Sequence, residues 1–254
     1  MKVIYSFYNS TGLGDNIRGL ITIKQIQKIL GFELYIDLNG HPIEPYLQYK
    51  SVSFNCEHTF FLPAPDDLCH NDYLINQLRN KTSVRISTNL YPDITVELDK
   101  NIKEFMKNFL LIKPDFDIDF INRELPEVYD LFHYRLGDKY MCQDTDGRAQ
   151  NILLDDVFQH FLIHNTHINN SVLISDSLEF KEKCKNHTKV YLNDPIHTRF
   201  DSNHKVNSAE MIETIRDFYL IKTAQNVYAF SAFPWKSNFV LWTSKIYDVP
   251  LERI

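Results

Sequence analysis

From Val128 onward the sequence switches repeatedly between short, near-continuous apolar runs and stretches with a 3.6-residue hydrophobic period, and no other feature limits the fold more. Strand-like runs at Val128–Arg135, Ser171–Ser175, Lys189–Leu192 and Asn226–Phe230 alternate with helical patterns over Ile152–Asn165, Leu178–Asn186, Ser208–Gln225 and Trp235–Tyr247. Runs as continuously apolar as Ser-Val-Leu-Ile-Ser read as strands of a parallel sheet covered by helices on both faces. The N-terminus has the same grammar: strand Lys2–Tyr8, a glycine-containing turn Thr11–Asp15, helix Asn16–Leu30 stopped by Gly31, and strand Glu33–Leu38. From Asn39 to Leu98 the pattern is irregular, with short apolar runs at Phe60–Leu62 and Val84–Ser87. Ile102, Phe105, Met106 and Phe109 then mark a helix over Asp99–Ile112, ended by Pro114, and a short helix reaching Leu125 links the halves. The expectation is an α/β chain of two Rossmann-like domains, residues 1–125 and 126–254, with a cleft between them and a last helix free to pack back on the N-terminal domain.

Composition removes several classes of function. With 254 residues, 44% of them hydrophobic, each half can bury a core. A net charge of −6 leaves no basic surplus for wrapping a polyanion, so nucleic acid is not an expected partner and any phosphate must be held locally. The N-terminus lacks the apolar core and cleavage site of a signal peptide, and no stretch is long enough for a membrane span. Cys56, Cys69, Cys142 and Cys184 show no CxxC spacing, which disfavours a zinc site or a disulfide framework and points to a reducing, cytoplasmic setting. Oligomeric state has no signature.

In open α/β sheets ligands bind beyond the carboxyl ends of the strands. Strand one runs into Thr11-Gly12-Leu13-Gly14-Asp15-Asn16, strand 128–135 into Arg135-Leu136-Gly137-Asp138-Lys139, strand 171–175 into Asp176, and strand 226–230 into Ser231. Three of the seven glycines (Gly12, Gly14, Gly19) fall in the first loop or its helix, where bare backbone can approach a ligand and helix amides can face an anion. A tight βα turn needs glycine equally, so the loop alone does not decide. His133 and Arg135 alternate along a strand and share a face. A cation on a sheet face calls for an anion, and a guanidinium fits phosphate in a two-pronged way. An Arg135–Asp138 ion pair would answer the same need, and the chemistry leaves both open.

The segment His133-Tyr134-Arg135-Leu136-Gly137-Asp138-Lys139 resembles the HxRxGD and HxRRTDK motifs of the α1,2- and α1,6-fucosyltransferase superfamily. TGLGDNIRGL upstream is similar to the glycine-rich first loop of those enzymes. LISDS resembles their second block, and Asp217-Phe218-Tyr219-Leu220 through Val227–Phe233 their closing block. Four short blocks in the same order cover most of the chain. The resemblance implies a GT-B fold, an inverting transfer, no metal or other cofactor, GDP-fucose as donor and a glycan as acceptor. It places Arg135 on the β-phosphate, His133 and Asp217 beside the guanine, Asp138 and Lys139 near the sugar phosphate, Asp176 near the ribose or sugar, and Ser231 on phosphate. The first loop, with Gly12, Gly14 and Asn16, completes the donor site. Leu136 stands where several relatives carry a second arginine, and Phe230, Ala232 and Pro234 replace polar residues of the last block. Another nucleotide sugar, or a catalytically silent binding module, therefore remains the competing expectation.

Departure of a nucleoside diphosphate requires its growing charge to be stabilised, and Arg135 with backbone amides near Gly12 to Asp15 would suffice without metal. The acceptor hydroxyl needs a base. Asp15 is the first candidate and Asp138 the second, although an aspartate at the place of Asp15 also suits a helix cap. Asp115–Asp117 and Asp144–Asp146 match a DxD metal spacing but follow no clear central strand. His160, His164 and His167 fall at i, i+4 and i+7 without an accompanying HExxH glutamate, which favours an exposed helix edge.

Overall fold

The computed structural model describes residues 1–7, 12–62, 71–90, 92, 98–114, 125–137, 153–192, 208–233 and 237–254. They fall into two compact units, one within Met1–Phe116 and one within Asp117–His197 and Val206–Ile254. The first unit holds β1 (Lys2–Ser6), α1 (Leu13–Leu30), β2 (Glu33–Asp37), a 3-10 turn at Glu44–Tyr46, β3 (His58–Leu62), α2 (Asn71–Leu78), β4 (Ser83–Thr88) and α3 (Lys100–Phe109). The second holds β5 (Asp130–Arg135), α4 (Leu154–Asn165), β6 (Ser171–Ser175), α5 (Leu178–Cys184), β7 (Lys189–Val190), α6 (Ser208–Thr223), β8 (Asn226–Ser231), α7 (Asn238–Tyr247) and β9 (Leu251–Arg253). Cys56 and Cys184 are free thiols. The segment expected as a short helix before Leu125 lies outside the described residues, apart from Leu125 itself.

The first unit is a parallel sheet in the order β2-β1-β4-β3. Helix α1 starts three residues earlier than the periodicity predicts. Gly12, extended at φ −63°, is its N-cap, and the Gly12 carbonyl accepts the amides of Asp15 and Asn16 at 3.0 and 3.1 Å. Asp15 therefore sits in the first turn, and the helix-cap reading of this residue is corrected. At the other end Gly31 takes φ 68° and its N–H donates to the Gln27 carbonyl, the stop that the sequence announces.

Within α1, Gly19 lets the helix meet the sheet at backbone distance. The buried Tyr5 hydroxyl lies 2.9 Å from the Asn16 carbonyl and 2.8 Å from the Thr88 carbonyl, bridging α1 to β4. A Cβ on Gly19 would fall 1.8 Å from the Thr88 carbonyl oxygen and 2.4 Å from that hydroxyl. Gly19→Ala is thus expected to sit at or above the top of the roughly 1–3 kcal/mol that overpacking costs. The helix-propensity gain of about 1 kcal/mol cannot offset this. A urea midpoint at or above that of the wild type would show that α1 stands further from the sheet.

The irregular stretch 39–98 contains β3, α2 and β4. Its strands are hard to read because they are one-sided or at an edge. In β4, Val84 and Ile86 are buried while Ser83, Arg85 and Ser87 are not, and β3 pairs on one side only.

The second unit is a parallel sheet in the order β7-β6-β5-β8-β9. On one face Leu131, Val172, Ile174 and Val227 pack with Leu220, Ile221 and Val240 of α6 and α7. On the other, Phe132, Tyr134 and Leu173 pack with Val157 and Phe161 of α4 and Phe180 and Cys184 of α5. Both faces are covered, as the continuous apolar runs require. Strand β9 was not expected: three residues carry no measurable period. It adds to β8 in parallel after Asp248 reverses the chain at φ 60°.

Candidate functional site

All strands of the second unit point the same way, so the residues ending β5, β6 and β8 share one edge of its sheet. Arg135 is the last residue of β5 and pairs in register with Ser231, the last of β8. The Ala232 amide donates to the Arg135 carbonyl at 2.9 Å, and the half-buried Arg135 guanidinium lies 5.6 Å from the Phe233 ring centroid. Ser231 Oγ accepts the Phe233 amide at 3.2 Å.

Beyond β5 the chain turns through Leu136 and Gly137. Gly137 takes φ 104°, a conformation open to glycine at little cost. Asp176, the residue after β6, accepts the Leu136 amide on one carboxylate oxygen (2.7 Å) and the Gly137 amide on the other (3.1 Å). Ser175 Oγ donates to the Tyr134 carbonyl at 2.7 Å. Asp176 thus fixes the loop that carries on from Arg135. Asp138 and Lys139 lie outside the described residues.

His133 and Arg135 share a face, as alternation predicts, because Phe132 and Tyr134 belong to the opposite core. His133 is 9% exposed, and its Nδ1 has no hydrogen-bond partner among the described residues. Burial and the neighbouring Arg135 guanidinium push its pKa down to about 3, so the ring is neutral. A neutral imidazole on this face adds no second positive charge and can meet an uncharged polar edge.

Asp217, in α6, is half-buried and makes no hydrogen bond or ion pair among the described residues. Burial lifts its pKa to about 6, opposed by Lys181 and Arg216 and reinforced by Glu213 and Asp176. The charges of Asp176 and Asp217 therefore sense each other at one end of the unit. Arg216, the neighbour of Asp217 in α6, ion-pairs with Glu213 and stacks 4.3 Å from the Tyr191 ring centroid. Lys181 is 2% exposed on α5. Sequence reasoning missed it, since Phe-Lys-Glu-Lys-Cys reads as a solvated helix face.

In the first unit, Gly12, Gly14, Asp15 and Asn16 form their own group at the start of α1. Gly14 occupies the second helical position, where amides have no intrahelical acceptor and suit an anion. Asn16 is buried, its Nδ2 3.5 Å from the Gly12 carbonyl. Asp15 pairs at 3.4 Å with Arg18, a cation 4% exposed that the periodicity did not single out. A second polar cluster, at the end of β2, is structural. Asp37 pairs with Arg85 and accepts from Ser51, Ser53 and the Asn39 amide. Burial alone would raise its pKa, yet the Arg85 and Asn39 hydrogen bonds hold it below the usual range, filling its acceptors.

Both DxD pairs lie outside the described residues, among which no cluster of three or more metal-ligating side chains occurs. Of the three spaced histidines, His160 and His164 lie on α4, and His167 falls past its end. Leu136 and Phe230, which depart from the motifs, pack against the aromatic core instead of facing a ligand as polar groups would. Among the described residues no helix is long and apolar enough to cross a membrane.

No protein-family model and no curated protein matches the sequence. Solved structures do match. An α-1,6-fucosyltransferase, NodZ, soaked with GDP-fucose is similar over 98% of this chain and 93% of its own at 14% identity, TM-score 0.58. NodZ from Bradyrhizobium is similar over 95% and 91% at 15% identity, TM-score 0.56. A mutant of Arabidopsis thaliana FUT1 in complex with GDP is similar over 99% and 69% at 11% identity, TM-score 0.60. What identities this low establish is architecture: the chain has the GT-B fold of these fucosyltransferases, as its four sequence blocks led one to expect.

Proposed function

We propose that the chain is an inverting, metal-independent glycosyltransferase that moves a sugar, fucose foremost, from a guanosine diphosphate donor to a glycan hydroxyl. The observation that carries this reading is the gathering of Arg135, His133, Asp176 and Ser231 at one edge of a parallel sheet, with Asp217 within electrostatic reach of Asp176. The fold likeness to proteins solved with GDP-fucose or GDP supports it. Arg135 meets the diphosphate as a two-pronged donor and stabilises the charge that grows as the sugar leaves. Asp176 acts through the backbone, holding the Leu136–Gly137 turn so that Arg135 keeps its aim. Asp217 accepts the adjacent N–H groups of guanine, a pair that uracil lacks, and His133 lies beside the base. Gly12, Gly14 and Asn16 line the donor's approach in the first unit, and Lys139 and Ser231 complete the phosphate contacts. Asp15, oriented by Arg18, is the first choice of base for the acceptor hydroxyl, and Asp138 the second. A carboxylate that filled its acceptors internally, as Asp37 does, would be a poor candidate for any of these roles.

Calorimetry with GDP, UDP, ADP and CMP tests the reading. GDP is expected to bind most tightly, and preference for UDP would transfer the site to another donor. Transfer is also expected to survive EDTA, since cationic and amide donors take the place of a metal. Loss of activity on chelation with recovery in manganese would assign a role to Asp115–Asp117 or Asp144–Asp146.

A further inference from the structure

Helix α4 carries His160 and His164 one turn apart, with ring centroids 4.5 Å apart and planes inclined at 47°. The two rings are not equivalent. His160 is half-buried, wedged 5.0 Å from the Phe230 ring and 6.1 Å from the Tyr134 ring, while His164 is exposed. His160 Nδ1 lies 3.0 Å from the Tyr134 hydroxyl, a hydrogen bond that fixes the ring and leaves Nε2 as the nitrogen directed elsewhere. That is how a protein presents a metal-binding imidazole: one nitrogen held by an inner partner, the other offered outward.

The spacing of the rings narrows the geometry. With each nitrogen roughly 2.0–2.1 Å from a shared ion, ring centroids stand about 4.5 Å apart for a right-angle N–metal–N arrangement and about 5.2 Å for a tetrahedral one. The observed separation matches the right angle of tetragonal or octahedral coordination. A neighbouring group favours cation binding as well: Asp156 lies one turn before His160 on the same helix. Lys183, on the packed helix α5, is engaged by Asp155.

We propose that His160 and His164 form a two-nitrogen chelate for a borderline divalent transition-metal ion, with water completing its coordination. Affinity follows the order in which Cu(II) exceeds Ni(II) and Zn(II). The site lies on the α4 side of the second sheet, opposite the face of His133 and Arg135, and it does not depend on the proposed donor chemistry.

The test uses tag-free protein stripped with EDTA and desalted, titrated at neutral pH with CuCl2, NiCl2 or ZnCl2 in the calorimeter. One equivalent of Cu(II) is expected to bind, with Ni(II) and Zn(II) weaker, and its EPR spectrum should show two imidazole nitrogens. His164→Ala alters only an exposed side chain, so folding is preserved. It should weaken binding by tenfold or more and leave one nitrogen in the spectrum. Tyr134→Phe, which removes the inner hydrogen bond, should weaken binding about tenfold, the lower end of the usual loss for an outer-shell partner. Unchanged affinity and spectrum in His164→Ala, or absence of saturable binding by the wild type at millimolar metal, overturns the proposal.

Discussion

Arg135→Ala is expected to abolish transfer and to weaken GDP binding by about 1.5–3 kcal/mol, the range for hydrogen bonds to a charged group. The side chain leaves the last position of β5, where its carbonyl is bonded by the Ala232 amide and its Cα partner is Ser231. Those backbone bonds survive the substitution, so the loss should appear in binding and turnover with little change in stability. Arg135→Lys separates charge from geometry. An ammonium restores a point charge without the planar fork, and is expected to recover part of the GDP affinity and little of the rate. Equal GDP affinity in wild type and Arg135→Ala would reject the diphosphate clamp and return Arg135 to a structural ion pair.

The legibility of this chain divides by burial. Strand Ser171–Ser175 is legible to the residue because every side chain in it is buried, so the apolar run ends where the strand ends. Four apolar residues in phase mark helix α3, which is capped by Asp99, whose side chain accepts the Ile102 amide. Misplaced boundaries occur where backbone, not side chains, sets the limit: Gly12 starts α1 without any side-chain cap. The edge strand β3 and the three-residue β9 offer too little burial to leave a period, and β4 buries only alternate residues, so it forms no continuous apolar run.

The candidate site was legible as residue types at strand ends, and only partly as roles. The sequence places Asp176 beside the ligand but does not show that its two oxygens also accept the Leu136 and Gly137 amides, an arrangement set by the return of β6 beside β5 that no local pattern encodes. Buried cations were the blind spot. Lys181 and Arg18 sit in helices whose neighbours read as solvated or merely apolar, and their burial depends on what packs above them.

Asp217→Asn should have opposite effects on stability and on binding. Burial lifts this carboxyl from the ordinary value of 3.8 to about 6, so at pH 7.5 it is ionised in a place that disfavours the charge. At about 1.4 kcal/mol per pH unit the difference amounts to about 3 kcal/mol, which the partial solvent exposure of the residue trims to about 2 kcal/mol. Because the folded-state pKa is raised, the penalty is absent only well below pH 3.8, where the group is protonated in both states, and grows as pH rises from there until it passes about 6. The asparagine variant should therefore unfold at a temperature a few degrees higher at pH 7.5 and converge on the wild type as pH falls well below the unfolded value of 3.8. Guanine recognition needs the carboxylate, so wild-type GDP affinity should be constant above pH 6 and fall about tenfold per pH unit below it. In Asp217→Asn it should be weak throughout and flat across that range. A variant that gains no stability at pH 7.5 would mean that Asp217 is solvated. One that keeps the wild-type pH profile for GDP would remove Asp217 from the base site and leave the choice of nucleotide to other residues.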